Sequence, residues 1–229
     1  SIWTHLRMAI PQLCNLGMSG MNFVGTDIGG FGSDGTPELF ARWIEAGCFS
    51  PLFRNHCATG CRVPEPWQFG EEVLAISRKY INLRYELLPY LYDLMRETEQ
   101  TGIPMLRPLV LEYEKDENLK NRNDEFMLGD RLLVAPVAEQ GAREKLVYLP
   151  EGIWYDYWTG EEKEGGSFFV RKAPLEICPI YVKAGAVLPK YPARLCVGED
   201  KDDILILEVY PGEGTYTHYQ DNGKDFAYR

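Results

Sequence analysis

The first 98 residues alternate between helical and strand-like spacing of apolar positions. Apolar residues three and four apart are typical of an amphipathic helix, and short continuous apolar runs are typical of a buried strand. The pattern predicts helix, strand, helix, strand, helix over residues 2–16, 22–25, 37–47, 49–53 and 70–98. Thr36, Pro37 and Glu38 form a typical helix start, with a capping hydroxyl, a proline in the first turn and an acid. This alternation predicts a parallel sheet with helical crossovers.

After about residue 103 the pattern changes to short apolar runs and alternation with a period of two. The runs that predict strands lie at 126–128, 132–135, 145–149, 153–155, 180–182 and 204–207. Turn-forming residues separate them, and several short strands at this spacing predict an antiparallel β-sandwich. Residues 195–203 change from apolar to charged before the last strand, which predicts a further domain boundary.

The pattern of residues 1–98 accounts for only about two βα units. A closed eight-stranded barrel takes roughly 250 residues, so these units cannot close a barrel by themselves. They would leave open sheet edges, which favours pairing with a second copy of the chain. The chain begins at Ser1, without a methionine and beside the first predicted helix. We therefore expect a longer polypeptide whose preceding part completes the barrel.

The balance of charge excludes several classes of partner. The 229 residues carry a formal net charge of -10 and contain no basic block. Nucleic-acid binding depends on clustered Lys and Arg that neutralise phosphates, so no nucleic-acid partner is expected. No run approaches the roughly 18 apolar residues of a membrane span, so no membrane partner is expected either. Aromatic residues make up 13% of the chain, which suits both a β-rich core and surfaces that stack on sugars.

Cysteine usage bears on the compartment and on metal binding. The six cysteines are Cys14, Cys48, Cys57, Cys61, Cys178 and Cys196. Several lie in apolar runs, which predicts buried free thiols and a reducing, cytoplasmic compartment. His56, Cys57 and Cys61 form a candidate metal cluster, but their spacing differs from that of zinc modules and no second cysteine pair follows. We expect no metal and no cofactor.

Four side chains with binding chemistry follow the two predicted strands of the first part. Asp27 and Phe31 come after the first strand, and Arg54 and His56 come after the second. In a (β/α) barrel, active-site residues lie at the C-terminal ends of strands and in the loops that follow. The four therefore predict one wall of a pocket for a polar ligand. Structural roles stay open, because Asp27 can stabilise a turn and His56 can be an ordinary loop residue.

Two tryptophans near these positions favour structural roles. Trp43 lies on the apolar side of its predicted helix and is expected in the core. Trp67 has the chemistry to stack on a sugar, but we interpret it as the anchor of the long loop over residues 54–69.

Longer motifs extend from these positions along the chain in a fixed order. Those of the first part are Phe23-Val24-Gly25-Thr26-Asp27-Ile28-Gly29-Gly30-Phe31, Arg42-Trp43, Phe49-Ser50-Pro51-Leu52-Phe53-Arg54-Asn55-His56 and Glu65-Pro66-Trp67. Those of the second part are Leu128-Gly129-Asp130-Arg131-Leu132-Leu133-Val134-Ala135-Pro136-Val137, Leu149-Pro150-Glu151-Gly152-Ile153-Trp154-Tyr155-Asp156 and Pro179-Ile180-Tyr181-Val182-Lys183-Ala184-Gly185. Together they resemble glycoside hydrolase family 31, the α-glucosidase family, and the resemblance extends over nearly the whole chain.

The resemblance implies an α/β plus all-β fold: the last βα units of a (β/α)8 barrel followed by an antiparallel β-sandwich domain. Residues 1–98 would be the C-terminal part of the catalytic barrel. Residues 99–194 would be the proximal sandwich, and residues 195–229 would begin a distal β domain that is incomplete. The strands before Asp27 and Arg54 would be the seventh and eighth strands of the barrel.

The resemblance also implies hydrolysis with retention of configuration, which needs a nucleophilic and an acid/base carboxylate roughly 5 Å apart. In the family, the nucleophile is on a strand that would precede this chain. The acid/base is the Asp of a Gly-Asp-Asn-x-Ser-x-Trp motif, and Ser1-Ile2-Trp3 matches the end of that motif. We therefore expect the acid/base just before Ser1 and no catalytic carboxylate within the chain.

The residues that remain correspond to the substrate-holding part of the family's site. Asp27 and Phe31 resemble the carboxylate and the aromatic ring that line the subsite of the cleaved sugar. His56 resembles the histidine that donates to a sugar hydroxyl, and Arg54 resembles a residue that orients nearby carboxylates. Charge-assisted hydrogen bonds from hydroxyls to a carboxylate are strong, which suits Asp27 to this role.

The function that the resemblance implies is that of a retaining exo-α-glycosidase. An α-glucosidase that removes terminal non-reducing α-linked glucose from oligosaccharides is the leading expectation. The chain alone would be inactive, and its partners would be a carbohydrate substrate and the missing N-terminal part of the same polypeptide. The alternatives are an α-xylosidase or a transglucosylase of the same family, or a non-catalytic carbohydrate-binding or structural protein on the same scaffold.

Overall fold

Helices occupy the first part of the chain and strands the second. The computed structural model describes residues 1–197 and 204–223, so residues 198–203 of the predicted boundary lie outside the described residues. The described helices are α1 (Trp3–Met18), α2 (Pro37–Gly47), α3 (Glu71–Glu86), α4 (Leu88–Thr101) and α5 (Leu109–Glu112), with 3₁₀ turns at Pro66–Phe69 and Glu117–Leu119. No described helix has both the length and the apolar character needed to cross a bilayer.

Ten strands are described after α4. They are β1 (Leu106–Pro108), β2 (Phe126–Leu128), β3 (Leu132–Val134), β4 (Glu144–Leu149), β5 (Ile153–Asp156), β6 (Glu162–Glu164), β7 (Ser167–Lys172), β8 (Ile180–Lys183), β9 (Val187–Lys190) and β10 (Ile206–Val209). The six strands predicted from the sequence are all present, with small changes at their ends. The four that the pattern missed are β1, β6, β7 and β9.

The predicted start of α2 is confirmed. The Thr36 hydroxyl accepts a hydrogen bond of 3.3 Å from the Leu39 backbone N–H, and Pro37 opens the helix. Glu38 lies in the first turn, where a negative charge interacts favourably with the helix dipole. Local residue chemistry therefore determines where this helix begins.

The two strands predicted at 22–25 and 49–53 are wrong as regular strands. The segments touch in parallel through a single bridge between Asp27 and Arg54 rather than through a ladder. A strand in a parallel barrel pairs on both sides, and the chain supplies a partner on one side at most. The apolar runs therefore mark the correct segments, but their regular pairing depends on neighbours that this chain does not provide.

The single helix predicted over 70–98 is also wrong, because the structure divides it into α3 and α4 at Leu87. Pro89 lies in the first turn of α4. Proline has no backbone N–H to donate to the carbonyl four residues before it, and its ring clashes with that carbonyl, so the helix interrupts there. The apolar stripe continues across the break because both helices pack against the same core.

The strands form a sandwich from antiparallel sheets, as predicted. The larger sheet has six strands in the order β1-β2-β3-β8-β5-β6, and β4 pairs with β7 as a second layer. Successive side chains of a strand point to opposite faces. On β2, Phe126 and Leu128 contribute to the core shared with the helices, while Met127 joins Val147 of β4 in a second core. The central strands are buried on both faces, which explains their continuous apolar runs.

A buried arginine joins the helical part to the sandwich. Arg42 of α2 has no exposed side-chain surface and pairs with Glu45 at 3.0 Å. Its guanidinium also donates to the carbonyl oxygens of Ala173 at 2.7 Å, Ile177 at 3.0 Å and Ala142 at 3.2 Å. A planar guanidinium with five N–H donors can satisfy several acceptors at once, which a lysine cannot do in the same geometry.

Helix α3 adds a second connection beside Arg42. The Tyr80 hydroxyl accepts from the Cys178 backbone N–H at 2.7 Å and donates to the Glu176 carbonyl at 3.3 Å. Lys79 donates to the same carbonyl at 2.8 Å, and its ammonium lies 3.7 Å from the centre of the Trp158 ring. Two helices of the first part therefore hold one segment of the sandwich.

We predict that Arg42→Met lowers the free energy of unfolding by about 3–5 kcal/mol, because it leaves Glu45 and three carbonyls buried without their partner. Arg143 provides a matched control, since it pairs with Glu38 of the same helix but is half exposed. Arg143→Met should cost less than about 1 kcal/mol. Urea unfolding of both variants measures the difference, and equal losses would contradict the role assigned to Arg42.

Glu45 should make stability depend on pH. Burial raises the pKa of Glu45 to about 8 against an ordinary value of 4.5, with Arg42 opposing the rise. The folded state then holds this proton more tightly than the unfolded state, so the free energy of unfolding falls as pH rises from about 4.5 to about 8. Glu45→Gln removes this contribution, and thermal unfolding across that range should show a shallower pH slope than in the parent.

Candidate active site

The site begins with a close approach of two backbone segments. The Leu52 N–H donates to the Val24 carbonyl at 2.9 Å, and the Ile28 N–H donates to the Arg54 carbonyl at 3.1 Å. Between them, a Cβ atom at Gly25 would lie 1.9 Å from the Leu52 carbonyl oxygen, so this contact requires glycine. The segments that carry Asp27 and Arg54 are thus held side by side.

A turn immediately after Asp27 directs the chain toward Phe31. The Gly30 N–H donates to the Asp27 carbonyl at 2.9 Å. Gly29 and Gly30 have φ angles of 80° and 89°, which lie in the left-handed region that side chains disfavour. The two glycines allow this sharp turn, which places Phe31 after Asp27 on the same loop.

Arg54 and Asp27 form an ion pair at the surface of the site. Arg54 Nε donates to Asp27 Oδ1 at 2.7 Å. The Asp27 side chain is 16% exposed and the Arg54 side chain is 55% exposed. Asp27 Oδ2 makes no hydrogen bond with the residues that the structure describes, so it keeps its capacity to accept one. The side chains of Arg54 and Asp27 are thus in direct contact.

Phe31 and His56 form the second pair of the site. Their ring centroids are 5.5 Å apart at an interplanar angle of 37°. Phe31 is 52% exposed, and His56 is also exposed. An aromatic ring and a hydrogen-bonding imidazole side by side can contact both the apolar and the hydroxyl faces of a sugar. All four residues selected from the sequence therefore lie on two adjoining loops.

Backbone contacts fix the loop that carries His56. The Ala58 N–H donates to the Phe31 carbonyl at 2.8 Å, and the Arg62 N–H donates to Asp34 Oδ1 at 2.6 Å. The Asn55 amide also donates to the Pro64 carbonyl. Asp34 was not among the residues selected from the sequence, although its position in a Ser-Asp-Gly turn was an available signal.

Arg84 of α3 holds the backbone that leads into Arg54. Its guanidinium donates to the carbonyl oxygens of Cys48 at 3.0 Å, Ser50 at 2.5 Å and Pro51 at 2.7 Å. This role of Arg84 was not predicted from the sequence. The position of an arginine in a helical sequence does not show whether its side chain contacts distant carbonyls or solvent.

The interpretation of Trp67 as the anchor of the loop is wrong. Trp67 is 63% exposed, whereas Phe69 stacks on Phe40 of α2 with ring centroids 4.3 Å apart. Phe69 therefore supplies the apolar contact assigned to Trp67. The expectation for Trp43 is confirmed, since it is buried, and its indole N–H donates to the Thr26 hydroxyl at 2.9 Å.

The structure brings no metal ligands together among the residues it describes. No group of three or more His, Cys, Asp and Glu side chains in residues 1–197 and 204–223 is arranged to hold a metal ion. Cys57 and Cys61 are free thiols of intermediate exposure on the loop after His56.

Comparison with known protein families identifies both parts of the chain. Residues 1–94 match the glycosyl hydrolases family 31 TIM-barrel domain. Residues 102–188 match the glycosyl hydrolase family 31 C-terminal domain. The chain belongs to glycoside hydrolase family 31. The resemblance inferred from the motifs and the expected fold class are both confirmed.

Family 31 relatives align along the whole chain. Alpha-glucosidase 2 of Bacillus thermoamyloliquefaciens is 44% identical over 231 residues, covering 100% of this chain and 29% of the relative. Alpha-xylosidase of Saccharolobus solfataricus is 40% identical, covering 99% of this chain and 32% of the relative. The chain thus spans about a third or less of the length of these relatives.

Solved family 31 structures share the fold. A dextranase from Flavobacterium johnsoniae, complexed with glucose, has a TM-score of 0.91 at 39% identity, over 96% of this chain and 28% of that one. An alpha-xylosidase from Xanthomonas citri has a TM-score of 0.92 at 32% identity, over 99% of this chain and 26% of that one. The names of these relatives differ in substrate, so the shared fold alone does not select among them.

Proposed function

We propose that this chain is the substrate-holding part of a retaining exo-α-glucosidase that releases terminal α-linked glucose. The observation that carries the proposal is the arrangement of four side chains on two adjoining loops. Arg54 binds the Asp27 carboxylate, and Phe31 and His56 lie side by side on the same two loops. The relative at 44% identity is named alpha-glucosidase 2, which supports glucose as the sugar. The domain limits proposed for the chain remain 1–98, 99–194 and 195–229.

Each of the four residues has a proposed role. Asp27 Oδ2 accepts hydrogen bonds from hydroxyls of the sugar that is cleaved, and Arg54 keeps the carboxylate oriented through Oδ1. His56 donates to another hydroxyl, and Phe31 packs against the apolar face of the ring. None of the four breaks the glycosidic bond in this proposal.

The bond-breaking carboxylates belong to the part of the polypeptide that precedes Ser1 in this proposal. Retaining hydrolysis needs two carboxylates roughly 5 Å apart, and Asp27 is occupied by its ion pair with Arg54. Exposed apolar side chains on this side of the chain also support a missing neighbour. Phe23, for example, is 63% exposed directly before the site loop. A preceding barrel segment would cover this surface and place the carboxylates opposite Asp27.

An α-xylosidase is the second candidate, because two of the similar proteins carry that name. Glucose has a hydroxymethyl group that xylose lacks, so the two activities differ in how much room the pocket leaves there. Comparing kcat/KM of the complete polypeptide, meaning this chain with its preceding barrel segment, on aryl α-glucoside and aryl α-xyloside decides between them.

We predict that the 229-residue chain alone does not hydrolyse an aryl α-glucoside, whereas the complete polypeptide does. The reason is the absence of both catalytic carboxylates from the chain. Release of the aryl alcohol measures turnover in each preparation. Turnover by the chain alone at a rate comparable with the complete polypeptide would show that the carboxylates have been placed wrongly.

In the complete polypeptide, Asp27→Asn should lower kcat/KM roughly 10- to 100-fold, which is the loss expected from a charge-assisted hydrogen bond. His56→Ala should lower it about tenfold on the same reasoning, with the thermal midpoint close to that of the parent. Asp130→Asn is a matched control, because Asp130 is a half-exposed carboxylate in the sandwich. Wild-type kinetics in both site variants would contradict the assignment, as would an equal loss in the control.

A further inference from the structure

Asp27 has a neighbour whose side chain is anchored in the layer of helices. Thr26 Oγ1 accepts a hydrogen bond of 2.9 Å from Trp43 Nε1. Trp43 is buried on α2 among apolar side chains. An indole has one N–H and no acceptor, so this bond satisfies the only polar group of the ring.

The position of Thr26 makes this bond relevant to the site. Thr26 contacts Trp43 of α2, and Asp27, the next residue along the chain, contacts Arg54 of the adjoining segment. The two residues share a peptide unit, so a contact that fixes Thr26 also restricts the backbone that carries Asp27. The indole N–H that holds the Thr26 hydroxyl therefore limits how far the Asp27 carboxylate can move.

Other contacts act on the same short segment. The backbone is held before Thr26 by the bond from Leu52 to Val24, and after it by the bond from Ile28 to Arg54. These bonds fix the segment relative to its parallel neighbour. The bond from Trp43 fixes it relative to α2, which is a different element of the structure.

We propose that Trp43 is a positioning residue for Asp27 and acts through the Thr26 hydroxyl. It touches neither the sugar nor the scissile bond. The inference rests on the proposed function, because Asp27 is assigned there to the subsite of the cleaved sugar. The carboxylate binds the cleaved sugar and not the leaving group. Misplacing it should therefore lower kcat/KM by the same factor for substrates that differ only in their leaving group.

The test uses four variants of the complete polypeptide. Trp43→Phe keeps an aromatic ring and removes the donor, and Thr26→Val keeps the branched shape and removes the acceptor. The third variant carries both changes, and Thr26→Ser retains the hydroxyl. Ile44→Val is the control for stability, because Ile44 is a buried residue of α2 that makes no contact assigned to the site.

Each single variant should lower kcat/KM about three- to tenfold, the range expected for one neutral hydrogen bond. The loss should be the same on an aryl α-glucoside and on an α-linked disaccharide. The double variant should lose no more than the larger single loss, because both changes remove one interaction. Thr26→Ser should have a kcat/KM close to that of the parent. Ile44→Val should also keep the parental kcat/KM, although its thermal midpoint should fall about as much as in the single variants.

Several results would overturn the proposal. Single variants with parental kcat/KM and a lowered thermal midpoint would assign the bond to stability alone. If the losses in kcat/KM multiplied in the double variant, or differed between the two substrates, Trp43 would not act on Asp27 through the Thr26 hydroxyl.

Crystal structures of Thr26→Val and Ile44→Val provide a readout that does not depend on turnover. The Asp27 carboxylate should be displaced or disordered relative to Arg54 in the first and unchanged in the second. An Asp27 carboxylate that superimposes on the parent in Thr26→Val would overturn the positioning role. A complete polypeptide without glycosidase activity would instead overturn the proposed function and leave these structures to decide the role of Trp43.

Discussion

The buried guanidinium of Arg42 is the interaction on which the arrangement of the two parts depends. It lies at the point where α2 meets the sandwich, and it donates to Glu45 Oε2 and to three backbone carbonyls. An unpaired charge at such a depth is strongly unfavourable, so the helix and the carbonyl-bearing segments have to come together in one relative position. Tyr80 and Lys79 strengthen the same contact from α3.

The same two helices also support the candidate site. Helix α2 carries Trp43, which reaches Thr26, and α3 carries Arg84, which binds the carbonyls of residues 48, 50 and 51. The segments that lead to Asp27 and His56 are therefore bound by two helices that also contact the sandwich. The sandwich thereby contributes to the position of these loops through α2 and α3.

The site also shows why the chain represents only part of a catalytic unit. Its polar groups face outward, and its apolar residues Phe23 and Phe31 are more than half exposed. A sugar-binding pocket normally encloses most of its ligand, so further walls have to come from other segments. Membership of glycoside hydrolase family 31, in which the chain covers about a third or less of its relatives, agrees with that arrangement.

Much of this organisation was determined by the sequence alone. The motifs identified the family, the cap at Thr36 located α2, and the positions of Asp27, Phe31, Arg54 and His56 after two apolar runs selected the site loops. These signals are local, because capping, turn chemistry and apolar spacing act over a few residues. Only the tertiary structure decided that Phe69 rather than Trp67 anchors the loop, that Arg42 and Arg84 are turned inward, and that Trp43 is bonded to Thr26. Those roles depend on which distant backbone or side-chain groups meet a residue after folding, and spacing along the chain carries no information about that.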